Sequence, residues 1–413
     1  MRIDDSRWQT TKATGLRFIN RAAALLLAVS ICLGLTASSF AQTVAYTNVT
    51  IESISDETIE NGTLVVSGDE IVEVGEDVDI PGSAKVVSLK GMTIMPGMVD
   101  PYYVYKRSQA ATRTIVFRGR TITLPGRANF TTGTFTWVGK YFYPYTLDVK
   151  PAMRTGITTA NLVTDGRGLS AFSNIEEEST EEMLFEEEGH LFAQVTNQTT
   201  AIDVVRKPLD ASSKKKPTST RSRSSSSDPT KEYWKAVTDG EKPLFINVNN
   251  AAGVAHLLKE VKDHEKVKLV LVATGPNLFQ SLDEIKKNEN VTVVLQPGID
   301  RVPFKSELMN VSRMLEKREI PFAISMSLSG NQMRQSQDDP MFPLAMLVRT
   351  GVDRQTALKS VTIKPAELLG IEKEYGSLEK GKKANFLVFD GDPLETGNSL
   401  KKVFLNGKLT YEN

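Results

Sequence analysis

The sequence predicts an α/β protein: a (β/α)8 TIM-like barrel plus a small β-sandwich built from both chain termini. Short alternating strands occupy both ends of the region 42–413. Between them, apolar strand-like runs alternate with helical stretches. The length of 413 residues, of which 40% are hydrophobic, accommodates a barrel of about 250 residues and a smaller satellite domain.

The sandwich is assigned to residues 42–95 together with residues 376–413. In the first part, β-branched residues alternate with polar ones, and Gly, Asp and Asn separate the runs, a pattern typical of hairpins. A unit of about 50 residues would be marginal alone, so it needs further strands. Runs of the same character follow at 384–390 and 402–408. Pairing them with the first part would bring the chain ends together around an inserted barrel.

The barrel is assigned to residues 96–375. Its candidate strands are 156–162, 244–248, 267–272, 291–295 and 322–326. Helices are predicted at 251–262, 277–287, 306–317 and 343–350. Strands that alternate with helices predict parallel pairing through crossover helices.

Two stretches interrupt this alternation. Residues 118–145 are rich in Thr, Gly and aromatic residues, and we interpret them as a hairpin or long loop at one barrel mouth. Residues 207–230 are rich in Ser, Lys and Arg and poor in apolar residues, so we predict a disordered insertion. A solvated loop is its simplest interpretation; docking of its basic run on the acidic runs at 176–188 is the alternative.

Residues 1–41 have the pattern of a signal peptide. Arg17 and Arg21 precede an apolar run from Ala22 to Leu35, and small residues lead to a cleavage position before Gln42. The run is shorter than the about 20 residues of a membrane span, although an uncleaved anchor is the alternative. We therefore expect export to the periplasm or the extracellular space, with no integral membrane segment after cleavage.

Charge and cysteine content exclude several classes of site. Lys+Arg and Asp+Glu are both 50, and this balance argues against a nucleic-acid partner. The single cysteine, Cys32, lies inside the predicted signal peptide. The region after it therefore has no disulfide, no thiol nucleophile and no cysteine metal site.

Several motifs of the sequence occur together in one known superfamily. Pro96, Gly97, Val99 and Asp100 stand in the stretch from Met95 to Val104. Further motifs occur at 156–159, 365–370, 376–384 and 390–394. Together they resemble the amidohydrolase superfamily, in its imidazolonepropionase and dihydroorotase-like branch, over most of residues 42–413. The resemblance implies the barrel fold and a hydrolase that acts on carbon–nitrogen bonds other than peptide bonds.

The resemblance also implies a metal site, but its ligands are replaced here. Members of the superfamily bind Zn or another divalent metal through a His pair on strand one, a His on each of strands five and six, and an Asp on strand eight. A carboxylated Lys on strand four occurs in some of them. This chain has Tyr102 and Val104 on strand one, Asn247 on strand five, Thr274 on strand six and Ser327 near the strand-eight position. We therefore expect no metal, no cofactor and no catalytic residue of the family type.

The three histidines do not suggest another metal site. His190 follows an acidic run outside the motif positions, and the spacing of His256 and His264 is too wide for i, i+4 chelation on a helix. No Gly-x-Ser-x-Gly elbow, Walker loop or Gly-x-Gly-x-x-Gly motif is present. Asp338 and Asp339 are explained by a turn before Pro340.

Five neutral side chains are candidates for a ligand pocket at the barrel mouth. They are Tyr102, Asn247, Asn249, Thr274 and Ser327. Neutral hydrogen-bonding groups suit an uncharged polar ligand, although the same residues could fill a closed core or face water. Asp100 is expected to be structural, at the end of its strand.

The leading functional hypothesis is a metal-free pseudoenzyme of the amidohydrolase type. It would act as the partner of an active amidohydrolase paralogue, as a homo-oligomer, or as a binder of a small polar ligand. One alternative is an active carbon–nitrogen hydrolase with an unorthodox site. The other is a structural or interaction protein that uses the aromatic-rich stretch 118–145 as its contact surface.

Overall fold

The computed structural model describes residues 42–105, 113–117, 120–124, 135–143, 149–176, 183–213, 228–275, 277–301, 307–329 and 339–413. Residues Thr43–Asn413 form one compact unit. The predicted signal peptide, with Cys32, lies outside the described residues. Within the described ranges, no helix has the length and apolar character needed to cross a membrane.

Twenty-three strands are described. They are β1 (Thr43–Ile51), β2 (Ile59–Ser67), β3 (Glu70–Gly75), β4 (Lys85–Ser88), β5 (Thr93–Pro96), β6 (Met98–Val104), β7 (Arg113–Phe117), β8 (Arg120–Leu124), β9 (Phe135–Trp137), β10 (Ile157–Val163), β11 (Arg167–Leu169), β12 (Ala171–Asn174), β13 (Leu184–Glu186), β14 (Leu191–Val195), β15 (Leu244–Val248), β16 (Leu269–Ala273), β17 (Val291–Leu295), β18 (Asp300–Arg301), β19 (Leu308–Met309), β20 (Phe322–Ile324), β21 (Phe386–Phe389), β22 (Leu400–Leu405) and β23 (Lys408–Glu412).

The described helices are short. The α-helices are Val138–Tyr141, Val149–Arg154, Gln198–Ala201, Lys207–Ser213, Lys231–Thr238, Ala251–Val261, Leu282–Lys286, Val311–Lys317, Phe342–Arg349, Arg354–Lys359 and Ile363–Leu369. A π-helical segment covers Ile202–Arg206, and 3₁₀ turns cover Leu278–Ser281 and Met326–Ser329.

The sandwich is an eight-stranded sheet to which both chain termini contribute. Its strand order is β23-β22-β21-β5-β1-β2-β3, with β4 beside β1. The rings of Tyr46 on β1 and Phe404 on β22 have centroids 5.4 Å apart. Because β1 and β22 are separated by two strands and neighbouring strands lie about 4.8 Å apart, the sheet must curl around its own core. The far edge meets the segment before β21, where Ile71 N donates to Lys382 O at 2.8 Å.

The barrel contains the parallel succession that the sequence predicts. β14, β15, β16, β17 and β20 pair in parallel, and β6 pairs in parallel with β10. β15, β16 and β17 consist mainly of aliphatic and aromatic residues and are almost wholly buried, as expected for strands covered on both faces. The helix Ala251–Val261 crosses between β15 and β16, and Asn250 caps it by accepting from Gly253 N at 2.7 Å.

The third barrel position departs from the predicted parallel alternation. β12 pairs antiparallel with β10, and β11 pairs antiparallel with β14, with only Ser170 between β11 and β12. This bent strand therefore connects the two halves of the barrel. Its direction follows from the connection to β10, a tight turn in which Gly166 has φ +100°, since a parallel crossover requires about a dozen residues.

The prediction of disorder from residue 207 onwards is wrong at its start. Lys207–Ser213 form a helix that continues from the π-helical segment Ile202–Arg206. Val205 and Leu209, one helical turn apart, are fully buried. Two apolar anchors on one face suffice to dock a helix whose composition is otherwise polar. Residues 214–227 of the predicted insertion lie outside the described residues.

The predicted irregular stretch 118–145 is described in part. β7 and β8 form an antiparallel hairpin that begins before the predicted stretch, at Arg113. β9 then pairs in parallel with β11, and the helix Val138–Tyr141 follows it directly. The second part of the stretch therefore belongs to the edge of the barrel sheet.

Candidate functional site

The motif positions lie at the carboxyl ends of barrel strands. Tyr102 stands in the last part of β6 and Asn247 in the last part of β15. Thr274 follows β16 directly, and Ser327 lies in the 3₁₀ turn after β20. In parallel barrels this end carries the active site, because the loops after the strands converge there. We refer to this end as the mouth.

Three of the predicted residues lie next to one another. Thr274 Oγ1 donates to Asn247 Oδ1 at 3.0 Å, and the Asn247 side chain is close enough to the Tyr102 hydroxyl to lower the pKa of the phenol against the effect of burial. The register explains the arrangement: Asn247 pairs with Val272, so Thr274, two residues further, projects to the same face. Tyr102 is buried, Asn247 is half-buried and Thr274 is exposed. The three side chains therefore lead from the barrel interior to solvent.

Ser327 contacts these residues through the backbone of Tyr102 in β6. Its hydroxyl donates to Tyr102 O at 3.4 Å and lies 3.2 Å from Ser325 Oγ. We call Tyr102, Asn247, Thr274 and Ser327 the polar ring. Asn249, the fifth predicted pocket residue, is exposed and accepts from Asn250 Nδ2 at 2.7 Å, and no described contact joins it to the ring.

Asp100 connects β6, the first barrel strand, to the end of β20, the last barrel strand, next to the polar ring. Its carboxylate accepts from Ser325 Oγ at 2.7 Å, from Ser327 N at 2.8 Å and from Tyr102 N at 3.0 Å. The described ladders do not pair β20 with β6, so these side-chain bonds connect the two strands instead. The structure thus gives Asp100 the structural position that the sequence suggests.

Burial controls the ionisation of this region. Burial raises the pKa of Asp100 above its usual value, and the hydrogen bonds from Ser325, Ser327 and Tyr102 oppose that rise. Burial also raises the pKa of Tyr102 above its usual value, against the hydrogen bond with Asn247. Tyr102 is therefore a neutral phenol at physiological pH, and the polar ring carries no charge.

Two further residues lie at the mouth and belong to none of the sequence motifs. Gln194 on β14 pairs in register with Asn247, so it projects to the same face, and it is exposed. Asp165, in the turn after β10, is exposed and close enough to Tyr102 for its charge to raise the pKa of the phenol. Strand register would have identified Gln194 once β14 and β15 were known to pair.

The polar ring does not fit the divalent metal that the superfamily resemblance implies. Zinc selects thiolate, imidazole and carboxylate ligands, whereas the ring offers a phenol, an amide and two hydroxyls, and Val104 offers no donor. The amide oxygen of Asn247 already accepts from Thr274. Among the described residues, no group of three or more His, Cys, Asp or Glu could hold a metal ion.

The histidines lie away from the mouth. His190 precedes β14, at the opposite end of the barrel, where its Nε2–H donates to Leu369 O at 3.1 Å and its ring stacks on Phe245. Burial lowers the pKa of His190 to about 3. His264 lies 3.3 Å from Asp210 on the outer helical layer, and His256 lies in the helix Ala251–Val261.

Comparison with known proteins gives a family match for the C-terminal part of the chain and a fold match for most of it. Residues 247–410 match the profile of the amidohydrolase family. An amidohydrolase from Thermotoga maritima has the same fold, with a TM-score of 0.68 and 18% identity over 90% of this chain and 100% of that one. The chain thus has the fold of these proteins, and residues 247–410 carry the amidohydrolase family profile. It contains the TIM-like barrel that the sequence predicts.

Curated relatives match only a short part of the chain. An N-substituted formamide deformylase from Arthrobacter pascens is 40% identical over 67 residues, which are 15% of this chain and 12% of that protein. An imidazolonepropionase from Thermoplasma volcanium is 39% identical over 64 residues, which are 14% of this chain and 16% of that protein. The chain thus spans well under a fifth of the length of these relatives.

Proposed function

We propose that this amidohydrolase-type barrel has exchanged metal-dependent hydrolysis for recognition of a small, uncharged polar ligand. The observation that supports the proposal is the polar ring, whose neutral donors and acceptors stand where the sequence resemblance places the metal ligands of the superfamily. The replacement at Tyr102 and Val104 is matched at Asn247, Thr274 and Ser327, at or just after the ends of three other strands.

The geometry favours an amide or a related neutral group as the ligand. Thr274 is exposed, Asn247 is half-buried, and Gln194 projects from the neighbouring strand. An amide ligand presents both a donor and an acceptor, and it can pair with carboxamide and hydroxyl groups without leaving a buried charge. One curated relative bears the name N-substituted formamide deformylase, so N-substituted formamides are suitable probes.

The described carboxylates give little support to hydrolysis by an unorthodox site. A general base must have a free oxygen within reach of the attacking water. Asp100 is buried and already accepts three hydrogen bonds. Asp165 is exposed in a turn and lacks a histidine partner at the mouth. The active carbon–nitrogen hydrolase therefore remains the alternative, and the experiments with N-butylformamide described below distinguish it from ligand binding.

The proposal includes export and association with another chain. The pattern of residues 1–41 motivates the first, and the replaced ligand positions motivate pairing with an active amidohydrolase paralogue or a second copy. Size-exclusion chromatography with light scattering, alone and with a full-motif amidohydrolase, tests the second. A monomer that does not co-elute with that enzyme would leave ligand binding as the proposed role.

Calorimetric titration with N-butylformamide, butyrate and butylammonium tests ligand recognition. We expect saturable binding of the formamide and no measurable binding of the two ions. Tyr102→Phe removes the ring hydroxyl and should weaken binding by about tenfold, the equivalent of about one hydrogen bond. Tyr411→Phe, in the terminal sheet, makes the same chemical change away from the mouth and should have no effect.

Two results would contradict the proposal. One is preferential binding of butyrate or butylammonium, which would mean that a charged group governs the mouth. The other is release of formate from N-butylformamide in step with a bound divalent metal and its loss on chelation. That result would establish the active hydrolase instead.

A further inference from the structure

A cleft lies between the β18–β19 hairpin and the helix Val311–Lys317. It has a volume of about 350 Å³, within the range of small-molecule sites. Leu308 and Met309 of β19 line one side, and one face of the helix lines the other. None of the four residues of the polar ring lines it, so the cleft is a location of its own.

The hairpin side of the cleft is aliphatic. Ile299, just before β18, lines it together with Leu308 and Met309, and Met314 contributes a thioether from the helix. Leu308 is 67% exposed, so this apolar surface is open to water. No aromatic ring occurs among the described lining residues, and methionine side chains adapt their shape to flexible chains. These groups suit an aliphatic body, which gains by leaving water.

Two cations four residues apart face the cleft from the helix. Arg313 and Lys317 both line it, and the described lining includes no carboxylate. Neither cation forms an ion pair with a described residue. Like charges four residues apart on a helix repel each other, and an anion bound between them would remove that repulsion.

A neutral group holds the guanidinium of Arg313 in place. Its Nη1 donates to Thr350 O at 3.1 Å. Gly351, with φ +102°, leaves room for it, since a Cβ there would stand 2.7 Å from the guanidinium carbon. The Nε and Nη2 groups of Arg313 donate to no described residue. The contact with Thr350 therefore fixes the guanidinium, leaves its charge uncompensated and leaves two donor groups for a ligand.

We propose that this cleft binds an aliphatic carboxylate of medium chain length. The chain packs against the aliphatic hairpin side, and the carboxylate accepts from Lys317 and from Nε and Nη2 of Arg313. Ammonium and guanidinium donors form charge-assisted hydrogen bonds with carboxylates, and these are about twice as strong as neutral ones. The site goes beyond the recognition proposed for the mouth and does not depend on it.

Equilibrium dialysis of the full chain tests the proposal, because it measures bound ligand directly. Octanoate, 1-octanol and octylammonium share the chain and differ in the head group, whereas butyrate keeps the carboxylate on a shorter chain. We expect saturable binding of octanoate at concentrations at least tenfold lower than for octanol or octylammonium. Since each buried CH₂ strengthens binding about fourfold, butyrate should bind at least tenfold more weakly than octanoate. Equal binding of octanoate and octanol, or no saturable binding of octanoate, would overturn the proposal.

Single substitutions locate the bound carboxylate. Lys317→Gln keeps most of the stem of an exposed side chain and should weaken octanoate binding about tenfold while leaving octanol unchanged, and Arg313→Gln should act in the same direction. Lys287→Gln is the matched control, since Lys287 is an exposed lysine at the end of the helix Leu282–Lys286, outside the cleft, and it should change neither affinity. Tyr102→Phe, at the mouth, should also leave octanoate binding unchanged. If Lys317→Gln and Lys287→Gln bind octanoate alike, or if Tyr102→Phe weakens its binding, the cleft does not recognise the carboxylate and the proposal is wrong.

Discussion

Asp100→Ala should destabilise the protein by about 2–4 kcal/mol, because it removes the side chain that connects β6 to the end of β20. Three hydrogen bonds to the carboxylate are lost. The Ser325 hydroxyl can turn to Tyr102 O, which lies 3.3 Å away, so it keeps an acceptor. The backbone N–H groups of Tyr102 and Ser327 have no such substitute.

The magnitude follows from the burial of these two donors. A buried donor without an acceptor costs about 1–3 kcal/mol, and this applies in full to Tyr102, which is 4% exposed. Ser327 is half-buried, so water recovers part of its loss. Removal of a buried carboxylate, whose pKa is raised by burial, returns some desolvation energy. The net value therefore lies well above the effect of a surface substitution.

Urea titration followed by tryptophan fluorescence measures the change in the free energy of unfolding. Asp165→Ala is the matched control, since Asp165 is an exposed aspartate near the same strands, and it should stay within about 0.5 kcal/mol of the wild type. If the two substitutions lower the free energy of unfolding equally, or if Asp100→Ala lowers it less than the control, the carboxylate does not hold β6 and β20 together.

Three further predictions concern other parts of the molecule. Burial lowers the pKa of His190 to about 3, against about 6.5 in the unfolded chain. The unfolded chain therefore takes up the proton first, and stability falls as pH drops from about 6.5 towards 3. His190→Phe should flatten this slope in urea titrations at several pH values, and an unchanged slope would contradict the prediction. Arg354 donates to both oxygens of Asp392 and to the buried Glu52, so Arg354→Ala should lower the free energy of unfolding by about 2–3 kcal/mol in the same titration. Lys364→Ala, which breaks the surface pair with Glu367, should lower it by less than about 0.5 kcal/mol. Equal losses would contradict the role of burial. A Cβ at Gly275 would stand 1.7 Å from Asn249 O, so Gly275→Ala should lower stability by about 1–3 kcal/mol, and Gly82→Ala, with open space around it, should leave the melting temperature unchanged.

Much of the barrel and of its mouth is predictable because the signals are local. Runs such as Val291–Leu295 are short and rich in β-branched residues, which favours strands over helices. Once these strands are placed, parallel pairing brings their carboxyl ends together, and Asn247 and Thr274 meet there through a hydrogen bond. The superfamily motifs supplied those positions, which spacing alone would not have identified.

The remainder depends on interactions between distant residues. The antiparallel third strand is fixed by the tight turn at Gly166, and the residues of β11 and β12 do not encode a direction by themselves. Gln194 joins the mouth through its register with Asn247, a relation that no motif expresses. The helix Lys207–Ser213 exists because Leu209 is buried by the rest of the fold, while its local composition favours solvent.

The metal content of the purified full chain tests the central claim most directly. The protein is expressed with added zinc and manganese, dialysed, and measured by plasma mass spectrometry beside a variant that carries Tyr102→His, Val104→His, Asn247→His, Thr274→His and Ser327→Asp. Because neutral side chains stand where the resemblance places the metal ligands, we predict substoichiometric metal in the wild type and a clear increase in the variant. About one zinc or manganese per wild-type chain, lost on Asn247→Leu, would show that the polar ring holds a metal and would contradict the account.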